Sequence, residues 1–256
     1  MTISDITDGT LVVERRDDVD WVTLNRPTKH NALDPRLIEG LCAYLENAAA
    51  DADLRVIVIR GNGPSFCAGL DLSAQLAGGG RGTRRILDLM PLLRACPQPV
   101  VTLLHGAVKG GGFVMGLASD IRIAGESARM DDTFINLGLS GCDVGISYFL
   151  PRMVGLSVAS ELMLTGRVID AQRALRLGLV SEVVPDDQLE VAAERVAGEL
   201  RDKSALGLQR TKEMLSRVLA LDDLVEVIRT EIAIQLEVQG KDPTFNARLA
   251  AYGKKS

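Results

Sequence analysis

Three consecutive glycines, Gly110-Gly111-Gly112, stand between two apolar runs, and no other stretch of this 256-residue chain restricts its folding as much. The run before them, Val100-Val101-Thr102-Leu103-Leu104, reads as a buried strand, and Phe113-Val114-Met115-Gly116-Leu117-Ala118 after them opens a short buried helix. Glycines at a strand-to-helix joint allow unusual backbone angles and close approach to the main chain. The first N–H groups of the helix have no intrahelical partner and lie at the positive end of its dipole. Such a corner can hold an anion or stabilise negative charge that develops in a reaction. It fits a tight turn packed on a neighbouring strand equally well.

Composition narrows the setting. With 46% hydrophobic and 25% charged residues, the chain is of ordinary globular type. A net charge of −5 and a pI near 5.2 argue against a nucleic-acid partner. The first residues lack a basic segment followed by an apolar core, and no apolar run is long enough to span a bilayer. The expectation is a cytoplasmic protein with no membrane partner. Cys42, Cys67, Cys96 and Cys142 are scattered and read as free thiols, and with only His30 and His105 no metal site is expected.

Along the chain, residues 11–15 and 21–25 read as a β-hairpin. Asp34-Pro35 caps and starts a helix running to about residue 50, and residues 55–60 form a buried strand. A loop follows, carrying Ser65-Phe66-Cys67-Ala68-Gly69-Leu70-Asp71-Leu72, then a flexible connector at residues 78–82 and a helix over 83–94. Residues 120–124 return as a strand. Helices are expected at 146–154, 158–164 and 171–177, the last capped by Asp170, then a strand at 179–184. Three helical segments close the chain, at 187–202, 206–219 and 222–239. The pattern is an α/β core over residues 1–185 with a helical C-terminal region, 186–256.

Common glycine motifs do not fit. A dinucleotide fingerprint fails because Met115 stands where its last glycine belongs, and Lys109 precedes its glycines, unlike the lysine of a phosphate loop. A nucleophile elbow around Ser65 fails because Cys67 occupies its final glycine position. Cys67 is a candidate nucleophile or a buried structural thiol. What remains is a pair of glycine-containing loops, each after a buried strand. Two N–H groups from such loops, converging on one oxygen, form an oxyanion hole.

The residues of these loops resemble a known family. Phe66-Cys67-Ala68-Gly69-Leu70-Asp71-Leu72 is similar to the Phe-x-Ala-Gly-x-Asp-Leu segment of the enoyl-CoA hydratase/isomerase (crotonase) superfamily. His105-Gly106-Ala107-Val108-Lys109-Gly110-Gly111-Gly112 resembles its Asn/His-Gly-x-x-x-Gly-Gly-Gly segment. Asn25-Arg26-Pro27, Asn31-Ala32-Leu33, Asp120-Ile121-Arg122-Ile123-Ala124 and Leu164-Thr165-Gly166 fall in the same order. The resemblance covers about residues 10 to 255. It implies a spiral of ββα units with a C-terminal helical region that builds a trimer, or a dimer of trimers. It implies an acyl-CoA thioester as substrate, with no further cofactor. The Ala68 and Gly111 N–H groups would then hold the thioester oxygen and stabilise its enolate. Lys29, His30, Ala32, Ala68, Asp71 and Leu72 match the family's cradle for coenzyme A. Tyr252 and Lys255 match an aromatic and a basic residue that reach a neighbouring subunit's CoA.

The departures are as informative. A hydratase of this family adds water with two glutamates, and here Val114 and Phe134 occupy those places. Neither transfers protons. Gly138-Leu139-Ser140-Gly141-Cys142-Asp143-Val144-Gly145 resembles, with one insertion, the dienoyl-CoA isomerase segment that carries a catalytic aspartate. By that likeness Asp143 is the candidate general acid/base, expected in apolar surroundings that raise its pKa. Its other reading is a cap for the helix that follows. Asp131 and Asp132 read as surface loop residues. Three functions fit: an enoyl-CoA hydratase or isomerase, a non-catalytic acyl-CoA-binding protein, and more distantly a thioester hydrolase or related lyase.

Overall fold

Side chains alternating along the β-branched runs bury both faces of a six-stranded sheet in the computed structural model, which describes residues 8–77 and 85–252. The hairpin β1 (Leu11–Arg16) and β2 (Val19–Leu24) forms its edge, with Leu11 opposite Leu24. Four strands then add in parallel: β3 (Val56–Gly61), β4 (Val100–Leu104), β6 (Ile121–Gly125) and β9 (Glu182–Val184), in the order β1-β2-β3-β4-β6-β9. Near-continuous apolar runs are what parallel strands covered on both sides require.

One face carries Ile57, Ile59, Val100 and Leu104 into the main core. There they join buried residues of α1 (Pro35–Ala49), α3 (Ile86–Ala95) and α4 (Gly111–Ala118). The other face turns Val56, Val58, Val101, Leu103 and Ile123 toward Leu189, Ala192, Ala193 and Ala197 of α8 (Leu189–Arg201). The helical region beyond residue 185 thus begins as part of the core. Asp34 caps α1 as its sequence suggests, its carboxylate accepting the Leu37 N–H at 2.8 Å.

A second, three-stranded sheet was not foreseen. It joins β5 (Ala107–Lys109) in parallel to β7 (Arg129–Asp131), which pairs antiparallel with β8 (Ile169–Asp170). These strands of two or three residues are too short for a periodic signal. Short helices α2 (Leu72–Ala77), α5 (Thr133–Asn136) and α7 (Ala171–Arg176) complete the connections. The two helices expected over 146–164 form one element, α6 (Ile146–Thr165), broken at Gly155, whose φ of 75° no helix accommodates. The strand expected over 179–184 shortens to β9, and the connector at residues 78–82 lies outside the described residues.

Beyond α8 come α9 (Ala205–Arg217), α10 (Leu224–Lys241) and a further helix, α11 (Phe245–Tyr252), that the sequence pattern did not single out. Helix α10 buries none of its 18 residues, and Leu224, Ile232 and Leu236 are 70%, 55% and 64% exposed. A groove of about 630 Å³ between α9 and α10 is lined by Met214, Leu215, Val218, Ile228, Ile232 and Leu236.

Helix α9 is fastened to the sheet by a buried cation. The Lys212 ammonium lies 2.7 Å from an Asp120 carboxylate oxygen and donates to the Gln98 carbonyl at 2.9 Å. Lys212→Ala leaves Asp120 with the Arg94 guanidinium and the Val100 N–H, and we expect a loss of about 3 kcal/mol in urea unfolding.

Candidate active site

The two glycine loops are zipped together by main-chain hydrogen bonds. Phe66 N–H donates to the His105 carbonyl (2.8 Å), Cys67 N–H to Ala107 (3.0 Å), and Lys109 N–H to Cys67 (2.9 Å). The Cys67 segment is thereby a parallel neighbour of β5. Glycine makes the approach possible. A Cβ on Gly112 would lie 2.5 Å from the Cys67 carbonyl oxygen and 2.8 Å from its sulfur. Gly110, with φ 46° and ψ −118°, turns the chain from β5 into α4. Cys67 is fully enclosed, and burial pushes its thiol up to about 12, so it is a packing residue and no nucleophile.

The corner leaves a donor free. Among the described residues the Gly111 N–H, first in α4, has no hydrogen-bond acceptor, whereas Gly110 N–H donates to the Asp131 carbonyl at 3.1 Å. The Ala68 N–H is engaged: it donates to the His30 carbonyl at 2.9 Å. Gly69 sits between them, its absent Cβ 3.4 Å from Gly111 N. The helix is held from its far end by Arg122, which donates to the Gly116 (3.3 Å), Ser119 (2.6 Å) and Leu179 (2.6 Å) carbonyls. Burial lowers this guanidinium to about 10.

The strip at residues 29–33 runs beside the strip at 68–72. Leu33 N–H donates to the Gly69 carbonyl (2.7 Å) and Asp71 N–H to the Leu33 carbonyl (3.0 Å). Lys29, His30, Ala32, Ala68, Asp71 and Leu72 are therefore gathered together, with Lys29, His30 and Leu72 exposed. Asp71 is tied up: hydrogen bonds from Ser73 and Arg26 hold its carboxyl below the usual range. Arg26 also faces Asp34 at 3.3 Å and donates to the Ala32 carbonyl. Beneath the strip, the fully buried Asn31 accepts from Arg26 N (2.8 Å) and donates to the carbonyls of Asn62 (2.9 Å) and Ser65 (2.7 Å). Tyr252 ends α11, and Lys255 lies outside the described residues.

The carboxylates are placed differently from expectation. Val114 is buried in the core, and the Phe134 ring packs 3.4 Å from where a Gly110 Cβ would stand, so both positions beside the corner are apolar. Asp143 is exposed rather than enclosed by apolar side chains. Its carboxylate accepts the neighbouring Val144 N–H at 2.8 Å and does not cap α6, whose N-cap is Gly145. Asp131 and Asp132, expected at the surface, are 3% and 1% exposed. Asp131 pairs with Lys109 at 3.0 Å across the β5–β7 register. Asp132 caps α5, accepting Phe134 N–H at 3.4 Å through one oxygen, while its other oxygen has no partner among the described residues. Desolvation, with repulsion from Asp131 and Asp143, raises its carboxyl to about 6 against the opposing Phe134 hydrogen bond. Consecutive aspartates read as surface because carboxylates are rarely buried, and only the placement of β7 shows otherwise.

Comparisons with known proteins agree with this architecture. The family model described as enoyl-CoA hydratase/isomerase matches residues 14–252. The "Probable enoyl-CoA hydratase EchA12" of Mycobacterium tuberculosis (strain H37Rv) is 35% identical over 254 residues, covering 94% of this chain and 88% of the relative. The 2,3-dehydroadipyl-CoA hydratase of Escherichia coli K12 is 38% identical over 209 residues, covering 80% of this chain and 81% of the relative. The crystal structure of enoyl-CoA hydratase from Bacillus anthracis superposes with a TM-score of 0.90 at 31% identity, covering 96% of each chain. The crotonase fold expected from the sequence is the fold observed.

Because Gly112 lies against the Cys67 main chain, Gly112→Ala forces the two loops apart. We expect it to lower unfolding stability by about 2 kcal/mol, measured by urea titration.

Proposed function

Because the chain belongs to the enoyl-CoA hydratase/isomerase family, we propose that it binds an acyl-CoA thioester across the Gly111 corner, stabilises the enolate, and moves the proton with Asp143. The observation that carries this reading is the uncommitted Gly111 N–H at the head of a buried helix, directly beside the Ala68–Gly69 turn. A fixed donor in a dry site favours charge that appears only as the enolate forms. In this reading Ala68 is the second donor, releasing or sharing its bond to the His30 carbonyl when the thioester oxygen arrives. Lys29, His30, Ala32, Asp71 and Leu72 form the side on which coenzyme A lies, Asp71 acting through the loops it ties. Coenzyme A enters as part of the substrate and no other cofactor is invoked.

With Val114 and Phe134 at the glutamate positions, two-glutamate hydration is unavailable. A 1,3-proton shift by an aspartate needs fewer groups, so double-bond isomerisation is the favoured reaction. The apolar Val114 and Phe134 also support a second reading, an acyl-CoA-binding protein without turnover. Incubation with crotonyl-CoA and with a 3-enoyl-CoA, followed at the 2-enoyl thioester absorbance, separates these. Isomerisation raises the signal from the 3-enoyl substrate, hydration lowers it from crotonyl-CoA, and tight binding without either favours the binder. Asp143→Asn should leave acyl-CoA binding intact and reduce kcat by about 100-fold or more; unchanged turnover would remove Asp143 from the mechanism.

We also propose that the chain forms a homo-oligomer, a trimer or a dimer of trimers, through α10. Its exposed Leu224, Ile232 and Leu236 support this, as part of an apolar surface of a kind associated with protein contacts. Light scattering of the native protein should give a multiple of three chains, and Ile232→Glu with Leu236→Glu should shift the mass toward one chain.

A further inference from the structure

We propose that Ser65 is a positioning residue of the oxyanion site: through the His30 ring it holds the His30 carbonyl on the Ala68 N–H, and so sets how readily that donor turns to a thioester oxygen. The proposal rests on the enolate reading above, in which Ala68 is the second donor. Ser65 makes no nucleophile elbow, yet it is buried, 3% exposed, with its hydroxyl 2.9 Å from His30 Nδ1. A serine hydroxyl both donates and accepts, so either tautomer of the ring makes this bond. The carbonyl of the same histidine accepts the Ala68 N–H at 2.9 Å. Ser65, His30 and Ala68 thus form one chain of contacts that ends on a donor the reaction requires.

Packing decides which member of that chain can move. Ser65 is pinned on two sides: a Cβ on Gly61 would stand 2.5 Å from its carbonyl oxygen, and one on Gly106 would stand 3.1 Å from its Cα. Buried Asn31 donates to the same carbonyl at 2.7 Å. Ala68 follows Phe66 and Cys67, whose N–H groups are bound to the His105 and Ala107 carbonyls, so its own N–H has little room to swing. His30 is the exposed member. Its φ of 49°, with 56° at Asn31, puts two successive non-glycine residues in the left-handed region, a conformation that persists only where the surroundings impose it. Asn31 is held there by its side-chain hydrogen bonds, and His30 by Ser65, Ala68 and the Pro27 carbonyl, which accepts its N–H at 3.1 Å. Freeing the Ala68 N–H therefore means tilting the His30 carbonyl away against the Ser65 bond. The apparent affinity for a ligand that needs the free donor falls with the fraction of molecules in which it is free. A ligand without the oxygen is indifferent to that fraction.

Two readouts on the full chain test this, with Ser65→Ala and, as a surface variant that spares the buried serine, His30→Asn. Asparagine tolerates the left-handed region and removes the ring. Amide hydrogen exchange followed by NMR reads the Ala68 bond in the free protein. Ala68 should exchange about 5-fold faster in either variant, the effect of one net hydrogen bond, while the Cys67 amide, bound to Ala107, keeps its rate. Calorimetry then compares butyryl-CoA with S-butyl-CoA, the thioether that carries CH2 in place of the carbonyl. Native protein should prefer the thioester, and each variant should raise that preference about 5-fold. Because a ratio is read, any contact of residue 30 with coenzyme A cancels. Ala68 and Cys67 amides that speed up together, with both ligands weakened alike, would show a merely structural serine and overturn the proposal. An unchanged Ala68 rate, or an unchanged preference, overturns it too and leaves the enolate reading standing. Native protein that binds the two ligands equally overturns the enolate reading, and the role of Ser65 with it.

Discussion

The contact between Gly112 and the Cys67 main chain is the constraint on which the rest depends. Helix α4 cannot enter the molecule at its observed angle unless its first turn lies flat against the Cys67 segment, and any side chain at 112 would meet that carbonyl. Once seated, the contact has three consequences. It aligns Cys67 beside β5, it leaves the Gly111 N–H without a main-chain acceptor among the described residues, and it brings the 68–72 strip beside residues 29–33. Arg122 at the other end of α4 completes the placement by taking the carbonyls the helix leaves open. Stability and the free donor therefore come from one packing event.

Around that corner, the free N–H group and the nearby carboxyls are kept apart. Leu33 and Leu70 pack beside Gly111 and Phe134 beside Gly110, while Val114 is buried in the core behind them, so the surroundings of the corner are apolar. The carboxyls lie on the next layer, at the start of α5 and in the loop ahead of α6. This arrangement differs from one in which acids stand on the helix itself. It also explains why a buried carboxyl is tolerated at Asp132: its cost is offset by the Phe134 N–H and relieved by protonation as pH falls below about 6.

The C-terminal helices follow a separate logic. Helix α8 closes the second face of the sheet, while α9 hangs from it through Lys212 and Arg94. Helix α10 rests on α9, to which Glu237 binds Arg210, but buries none of its residues, and Leu224, Ile232 and Leu236 stay outward. In the proposed oligomer a second copy covers them, which joins assembly to the part of the chain farthest from the glycine corner in sequence.

Much of this was legible in the sequence. The β-branched runs at residues 55–60 and 100–104, the Asp34 and Asp170 caps and the glycine corner carry local signals, because their conformations are set by residues within a turn or two of themselves. The paired loops and the family motifs followed from the same residues. Three features were not legible. Strands β5, β7 and β8 are too short to show a period, and they exist because they pair. The engagement of the Ala68 N–H by His30 depends on two loops 38 residues apart in number meeting at 2.9 Å. That Asp143 is exposed and Asp132 buried depends on what packs above β7, and composition carries no information about that. Local chemistry determined which residues could make the corner and that Val114 and Phe134 beside it are apolar. Only tertiary packing decided which N–H stayed free and which carboxyl lost its water, because burial is a property of neighbours that are distant in the chain.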